Sequence, residues 1–132
     1  MIGIDTNVLL RCLIDDSSQQ NEVARSFLAT CNDDNPAFVS AITLAETFWV
    51  LHRQLKFSND RLISVLQIML ATDGLVFEFA GELELLLSDK DIDAAMVADY
   101  LVSWSARRAG CAKSVTFDKR AANKIDGMEL LS

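Results

Sequence analysis

The chain has 132 residues, 51% of them hydrophobic, and a formal net charge of −7. This length suits one domain with a single substantial core, and we treat residues 1–132 as that domain. Charged residues interrupt every apolar stretch before the roughly 18–20 residues that a membrane span requires, which argues against a membrane protein.

Short apolar strands alternate with longer helical patterns along the chain, and this alternation predicts an α/β fold with helices on both faces of a central sheet. We expect that sheet to be mostly parallel, with four to five strands. In the second helix, one face carries Val23, Ala24, Phe27, Leu28 and Cys31. The predicted strands are 2–4, 37–39, 75–79, 113–117 and 128–131, and the predicted helices are about 6–14, 19–30, 42–55, 60–71, 81–87, 93–108 and 119–125.

The cysteine content indicates the compartment. Cys12, Cys31 and Cys111 are an odd number, are widely spaced and form no CxxC motif. This pattern favours reduced thiols in a cytoplasmic protein over a disulfide framework or a zinc site. Asp5 and Arg11 interrupt the apolar start, so we expect no signal peptide.

Charge is distributed unevenly, and this matters more for nucleic-acid binding than the net value. Residues 73–99 carry eight acids and one base, whereas residues 107–124 carry six bases and one acid. Phosphate binding needs only a local positive surface, although a solvated helix face explains any single base equally well. The six bases are Arg107, Arg108, Lys113, Lys119, Arg120 and Lys124.

Two aspartates directly follow predicted strands. Asp5 follows the first strand, and Asp118 follows Val115-Thr116-Phe117. The carboxyl ends of parallel strands meet at one edge of a sheet, where ligands of open α/β sheets bind. Each aspartate also precedes a helix, and taken singly, N-capping is the better interpretation.

Two further acids lie within predicted helices that are apolar nearly all round. Neither Glu46 nor Asp99 has a base three or four residues away. An ionised carboxylate in apolar surroundings is costly unless it is paired. We therefore expect each to have a basic partner, a solvated cleft or a metal ion.

Several converging carboxylates without a histidine or cysteine cluster favour Mg²⁺ or Mn²⁺ over zinc. Such an ion can activate water for phosphodiester cleavage.

The lone histidine, His52, is better interpreted as an ordinary core or surface residue. Thr6, Asn7 and Thr116 are placed to orient the acids or a water, or else to bond the loop backbone. Three other acids are near misses, Glu78 at a strand end and Asp91 and Asp93 as helix caps.

Four segments, taken in order, resemble the acidic motifs of PIN domains. They are Asp5-Thr6-Asn7, the run from Ser40 to Glu46 with Trp49-Val50-Leu51 after it, Asp99-Tyr100-Leu101-Val102, and Val115-Thr116-Phe117-Asp118-Lys119. Their order, spacing and total length are similar to those of VapC-type toxins of bacterial toxin–antitoxin pairs. Tyr100 departs from the small residue that the family often has, which leaves the acid unaffected but alters the groove beside it.

The resemblance implies a three-layer α/β/α fold and an endoribonuclease dependent on Mg²⁺ or Mn²⁺. It also implies a homodimer, a cognate antitoxin whose tail occupies a groove near the active site, and a structured RNA substrate such as a tRNA or a ribosomal RNA loop. By motif, Asp5, Glu46, Asp99 and Asp118 carry over as the catalytic, metal-binding acids.

The basic segment supplies the expected substrate contacts, and Arg107, Arg108, Lys119 and Arg120 are our candidates for binding RNA phosphates. Exposed apolar surface for dimerisation and antitoxin docking is expected on the Glu46 helix, with Phe48 and Trp49, or on residues 61–70. The alternative is a PIN-fold binding subunit with little catalysis, which acts in a complex with its antitoxin on promoter DNA.

Overall fold

The computed structural model describes residues 1–16 and 18–131. In this part of the chain the strands are short and all pair in parallel. Backbone hydrogen bonds join them in two groups, with the orders β1-β2-β3 and β4-β5. The strands are β1 (Ile2–Gly3), β2 (Ala37–Val39), β3 (Leu75–Phe77), β4 (Ser114–Thr116) and β5 (Met128–Leu130).

Helices fill the connections between these parallel strands, as crossover geometry requires. The predicted helix over 42–55 is α3 followed directly by a π-helix, and the one over 93–108 begins with a 3₁₀ turn. The helices are α1 (Thr6–Leu13), α2 (Gln19–Ala29), α3 (Ala41–Trp49), the π-helix (Val50–Gln54), α4 (Asn59–Leu70), α5 (Ala80–Leu87), the 3₁₀ helix (Ala94–Met96), α6 (Val97–Arg108) and α7 (Lys119–Lys124).

The α/β class is confirmed, and the architecture is consistent with three α/β/α layers. The expected single sheet of four to five strands differs from the pairing in the described residues, which forms groups of three and two strands. Each strand has only two or three residues. Strands this short form few hydrogen bonds with their neighbours. The packing of the helices therefore also holds the elements together. In the described residues, no helix combines the length and apolar character needed to cross a membrane.

The core lies where α3 packs against α1 and α6. Its largest enclosed side chains include Leu9, Leu44 and Leu51. Phe48 belongs to this core, so it is not the exposed docking residue that we expected. Val23 lies on the predicted apolar face of α2 but is 62% exposed, because α2 has only its Ala24 side in the core.

Glu78 fixes the start of α3. Its Oε1 accepts a hydrogen bond of 2.6 Å from the backbone N–H of Ala41, the first residue of α3. Its Oε2 pairs with the guanidinium of Arg108 at the end of α6. The Ala41 N–H and then Arg108 lower the pKa of the Glu78 carboxyl. One carboxylate thus joins the end of β3 to two helices.

Glu78→Ala removes the side-chain acceptor of the first N–H of α3, and we expect it to lower the free energy of unfolding by about 1–2 kcal/mol at neutral pH. Because the pKa of Glu78 is lowered in the fold, this contribution is present above its ordinary value of 4.5 and is lost as the pH falls through the folded pKa. Urea unfolding at neutral and acidic pH measures both effects.

Glu129→Ala is the matched control, because Glu129 pairs with Lys113 at a surface where both side chains are mostly exposed. Such pairs are worth at most about 1 kcal/mol. An equal loss in the two variants would show that Glu78 does not fix α3.

Candidate active site

Asp99 and Asp118 are close enough for their charges to interact. Asp99 is half-buried in the first turn of α6. Asp118 precedes α7 and accepts hydrogen bonds from the N–H groups of Arg120 (2.9 Å) and Ala121 (3.1 Å). Burial raises the pKa of the Asp99 carboxyl, and the charge of Asp118 raises it further. Two of the four predicted acids are therefore brought together. The raised pKa of Asp99 agrees with the expectation that its ionised form is unfavourable in these surroundings.

Asp99 and Asp118 both line a cavity of about 340 Å³. One wall is a single face of α3 and the π-helix, with residues spaced by three and four, as one face of a helix requires. The cavity falls near the lower end of the range for ligand pockets, roughly 300–1,000 Å³. The helical wall consists of Ala45, Phe48, Trp49, His52 and Arg53.

Arg120 is held at this cavity by Asp93. The guanidinium Nη2 lies 2.5 Å from Asp93 Oδ2, and the Asp93 side chain is only 13% exposed. Asp93 also accepts a hydrogen bond of 3.1 Å from the N–H of Ala95, so it caps the 3₁₀ helix as expected. Its charge is already compensated by these partners.

Sequence reasoning missed the helical wall of the cavity. His52 was interpreted as an ordinary residue, yet it lines the cavity, and in the described residues its buried Nδ1 has no hydrogen-bond partner. An unpaired buried polar atom costs about 1–3 kcal/mol and is rare in folded proteins. The recurrence of Trp49, His52 and Arg53 at helical spacing was the available signal, and π-helical turns are frequent at functional sites.

Glu46 is exposed, which agrees with the solvated surroundings among the three that we expected, and apolar side chains do not enclose it. Only one face of α3 enters the core, and apolar side chains on the other face do not cover the carboxylate. Ile42, for example, is 81% exposed. Glu46 follows Ala45, the first residue of the cavity wall, but does not itself line the cavity.

Asp5 lies in a different cavity, of about 720 Å³, which Asn7 and Val23 also line. Its carboxylate caps α1 by accepting a hydrogen bond of 3.0 Å from the N–H of Val8. The hydroxyl of Thr43 donates to the carbonyl oxygen of Ile4, 3.3 Å away, and so ties α3 to the residue before Asp5.

The three residues expected to orient the acids have different surroundings. The hydroxyl of Thr116 accepts a hydrogen bond of 3.0 Å from the backbone N–H of Asp118. Thr6 is the half-buried first residue of α1. Asn7 is exposed in the larger cavity. Thr116 is therefore the one with a described contact to a predicted acid.

The four bases expected to bind phosphate fall into two groups. Arg108 pairs with Glu78 and lies 4.3 Å from the centre of the Phe79 ring, and Arg120 pairs with Asp93. Arg107 and Lys119 are exposed and form no ion pair with any residue in 1–16 or 18–131.

Among the described residues, no three histidine, cysteine, aspartate or glutamate side chains lie close enough to hold one metal ion. The pair of Asp99 and Asp118 still fits Mg²⁺. Proteins commonly bind Mg²⁺ through only one or two carboxylates, and water and substrate phosphates complete its shell. A cation also relieves the repulsion that raises the pKa of Asp99.

A family model of the PIN domain matches residues 2–127. The chain therefore belongs to the PIN domain family. PIN domains are generally nucleases that use divalent metal ions. No curated protein and no solved structure matches the chain.

The raised pKa of Asp99 makes stability depend on pH. Above the ordinary aspartate value of 3.8, the unfolded chain releases this proton while the folded chain retains it up to the raised pKa. Stability therefore falls as the pH rises through this window, and ionised Asp99 destabilises the fold at neutral pH. We expect Asp99→Asn to raise the Tm at neutral pH in EDTA. This gain in Tm should shrink as the pH falls toward 3.8, the ordinary pKa of aspartate.

Calorimetry across the acidic and neutral range measures this gain. Asp91→Asn is the control, because Asp91 is exposed and does not line the cavity. A gain in Tm that is absent, or that is the same at every pH, would contradict the assignment.

Proposed function

We propose that this PIN domain is a Mg²⁺- or Mn²⁺-dependent endoribonuclease and the toxin of a VapC-type toxin–antitoxin pair. The observation that carries the proposal is the interacting pair of the half-buried Asp99 and the exposed Asp118 in a cavity that basic side chains also line. A substrate phosphate is repelled by the carboxylates of this cavity. A bound cation and the arginines of the cavity would together offset that repulsion.

Asp99 and Asp118 are the residues that would hold the metal ion. When bound, the ion supplies positive charge that favours ionisation of the attacking water and stabilises negative charge on the phosphate. Thr116 and the first N–H groups of α7 orient Asp118, and Asp93 positions Arg120. Arg120 then meets a substrate phosphate at the cavity.

Asp5 and Glu46 complete the proposed set of acids on the strength of the sequence motifs. Thr43, in the first turn of α3, bonds to the residue before Asp5, and Glu46 follows three residues later on the same helix. Helix α3 therefore contacts the residue before Asp5, carries Glu46 and forms the cavity wall from Ala45 onward. This relationship supports their inclusion.

A homodimer and an antitoxin complex are part of the proposal. The 720 Å³ cavity beside Asp5 is lined largely by apolar side chains, among them Ile2, Val8 and Phe27. On α4, Ile68 is 65% exposed. Exposed apolar surface of this kind supports protein partners.

Metal-dependent cleavage of total cellular RNA tests the proposed activity. We expect discrete fragments with Mg²⁺ or Mn²⁺, none with EDTA, and a loss of at least about a hundredfold in Asp99→Asn and Asp118→Asn. Gel electrophoresis and sequencing of the fragment ends measure the activity and identify the cleavage site. Asp5→Asn and Glu46→Gln, measured alongside, decide whether all four acids are required.

Asp91→Asn should cleave RNA normally, because its side chain lies outside the cavity. Equal activity in the unmodified chain and Asp99→Asn would refute the carboxylate mechanism. Absence of cleavage by a folded, antitoxin-free chain, together with retention of promoter DNA, would favour the binding subunit.

Reversing the charge of Arg107 and Lys119 tests the phosphate contacts. Both are exposed and free of ion pairs within the described residues, so we expect each Glu substitution to weaken RNA binding. The slope of log affinity against log salt should fall by about 1 for each lost contact. Filter binding at several salt concentrations measures this slope.

Lys90→Glu makes the same charge change at an exposed base outside the basic segment and is the control. If it weakens binding as much as Arg107→Glu, the effect reflects net charge alone and the contacts are wrongly assigned.

A further inference from the structure

Trp49 is a large aromatic side chain at the edge of the carboxylate cavity. It ends α3, lines the cavity together with Asp99 and Asp118, and is 55% exposed. Tryptophan is highly buried on average in folded proteins. An indole this exposed, beside acids that hold a metal in the proposed function, therefore has surface available to a ligand.

Basic groups accompany the indole in the same cavity. Arg53 follows one helical turn later, where residues four apart are neighbours, and it is exposed. Across residues 1–16 and 18–131 it forms no ion pair, unlike Arg120, which Asp93 holds. The cavity thus combines an exposed indole, one guanidinium without an ion pair in the described residues and one guanidinium held by Asp93, beside the carboxylates of Asp99 and Asp118.

A nucleotide matches this combination, since it has a flat base for the indole and a phosphate for the guanidinium groups. The cavity volume of about 340 Å³ suits one nucleotide rather than a length of double helix. A base within a duplex is stacked on its neighbours and cannot offer its face, whereas unpaired bases of RNA stack on aromatic side chains.

We propose that Trp49 stacks on an unpaired base of the RNA and that Arg53 binds an adjoining phosphate. These two contacts place the RNA backbone beside Asp99 and Asp118. This inference rests on the proposed ribonuclease function and adds to it the two side chains that bind the nucleotide beside the carboxylates. Ile42 is also exposed on α3 but does not line the cavity, which separates the stacking position from the apolar surface of the same helix.

The chain has two tryptophans, so Trp104→Phe leaves Trp49 as the only indole. Trp104 packs on Tyr100 and Phe79, with ring centres 5.7 Å and 6.0 Å away, and phenylalanine retains an aromatic ring there. We expect a short oligoribonucleotide in EDTA to quench the Trp49 fluorescence. The same strand annealed to its complement should quench it far less.

Affinity measurements test the stacking independently. Trp49→Ala should weaken binding of the single strand by roughly 5- to 150-fold, the effect of losing one base–aromatic stack. Trp49→Phe should retain much of the affinity, because it keeps a ring, and Ile42→Ala is the matched control with unchanged affinity. In the cleavage assay, Trp49→Ala should lower activity on single-stranded RNA without changing the requirement for metal.

The two proposals fail separately. Unchanged RNA affinity in Trp49→Ala, with metal-dependent cleavage intact, overturns the stacking role and leaves the ribonuclease function standing. Loss of affinity and quenching by RNA, with no cleavage under any metal, supports the stacking role and refutes the nuclease. Fluorescence that changes with protein concentration and ignores RNA assigns Trp49 to a contact between chains and overturns the inference.

Discussion

Two like charges, those of Asp99 and Asp118, constrain the rest of the site. Burial and mutual repulsion both oppose ionisation of Asp99, as its raised pKa shows. The fold holds the pair together because the helix N–H groups at the start of α7 and the hydroxyl of Thr116 fix Asp118. Positive charge is placed nearby through Arg120, whose position depends on the mostly buried Asp93. The pair is costly while both carboxylates are ionised, and a cation bound between them, as proposed, would relieve that repulsion.

Helix α3 connects the separate parts of this arrangement. Its first N–H is fixed by Glu78, and Thr43 bonds to the residue before Asp5. The same helix carries Glu46, and its last turn and the π-helix form the cavity wall beside Asp99. A small rotation of α3 would therefore move Glu46 and the proposed nucleotide-binding surface together. His52 and Arg53 lie in the π-helix, yet they continue the cavity face that Ala45, Phe48 and Trp49 begin on α3.

Much of this site followed from local pattern. Asp118 and Asp5 cap helices after strands, as their positions indicated, and Asp99 has the desolvated environment that its apolar neighbours predicted. The surroundings of Glu46 stayed open because an apolar sequence around a residue does not fix which side of the helix faces the core. The helical wall was missed for the same reason, since Trp49 and His52 look like ordinary amphipathic positions until α6 is packed against α3.

The sequence by itself determined the α/β class, the helix caps and the four acidic motifs, because these depend on short-range periodicity and on residues a few positions apart. The tertiary structure alone decided which acids interact, since Asp99 and Asp118 are brought together by the packing of α6 and β4. It also placed Asp5 in a second cavity and left Glu46 exposed. Those outcomes depend on helix rotation and on contacts between distant segments, which side-chain packing fixes and a linear pattern does not.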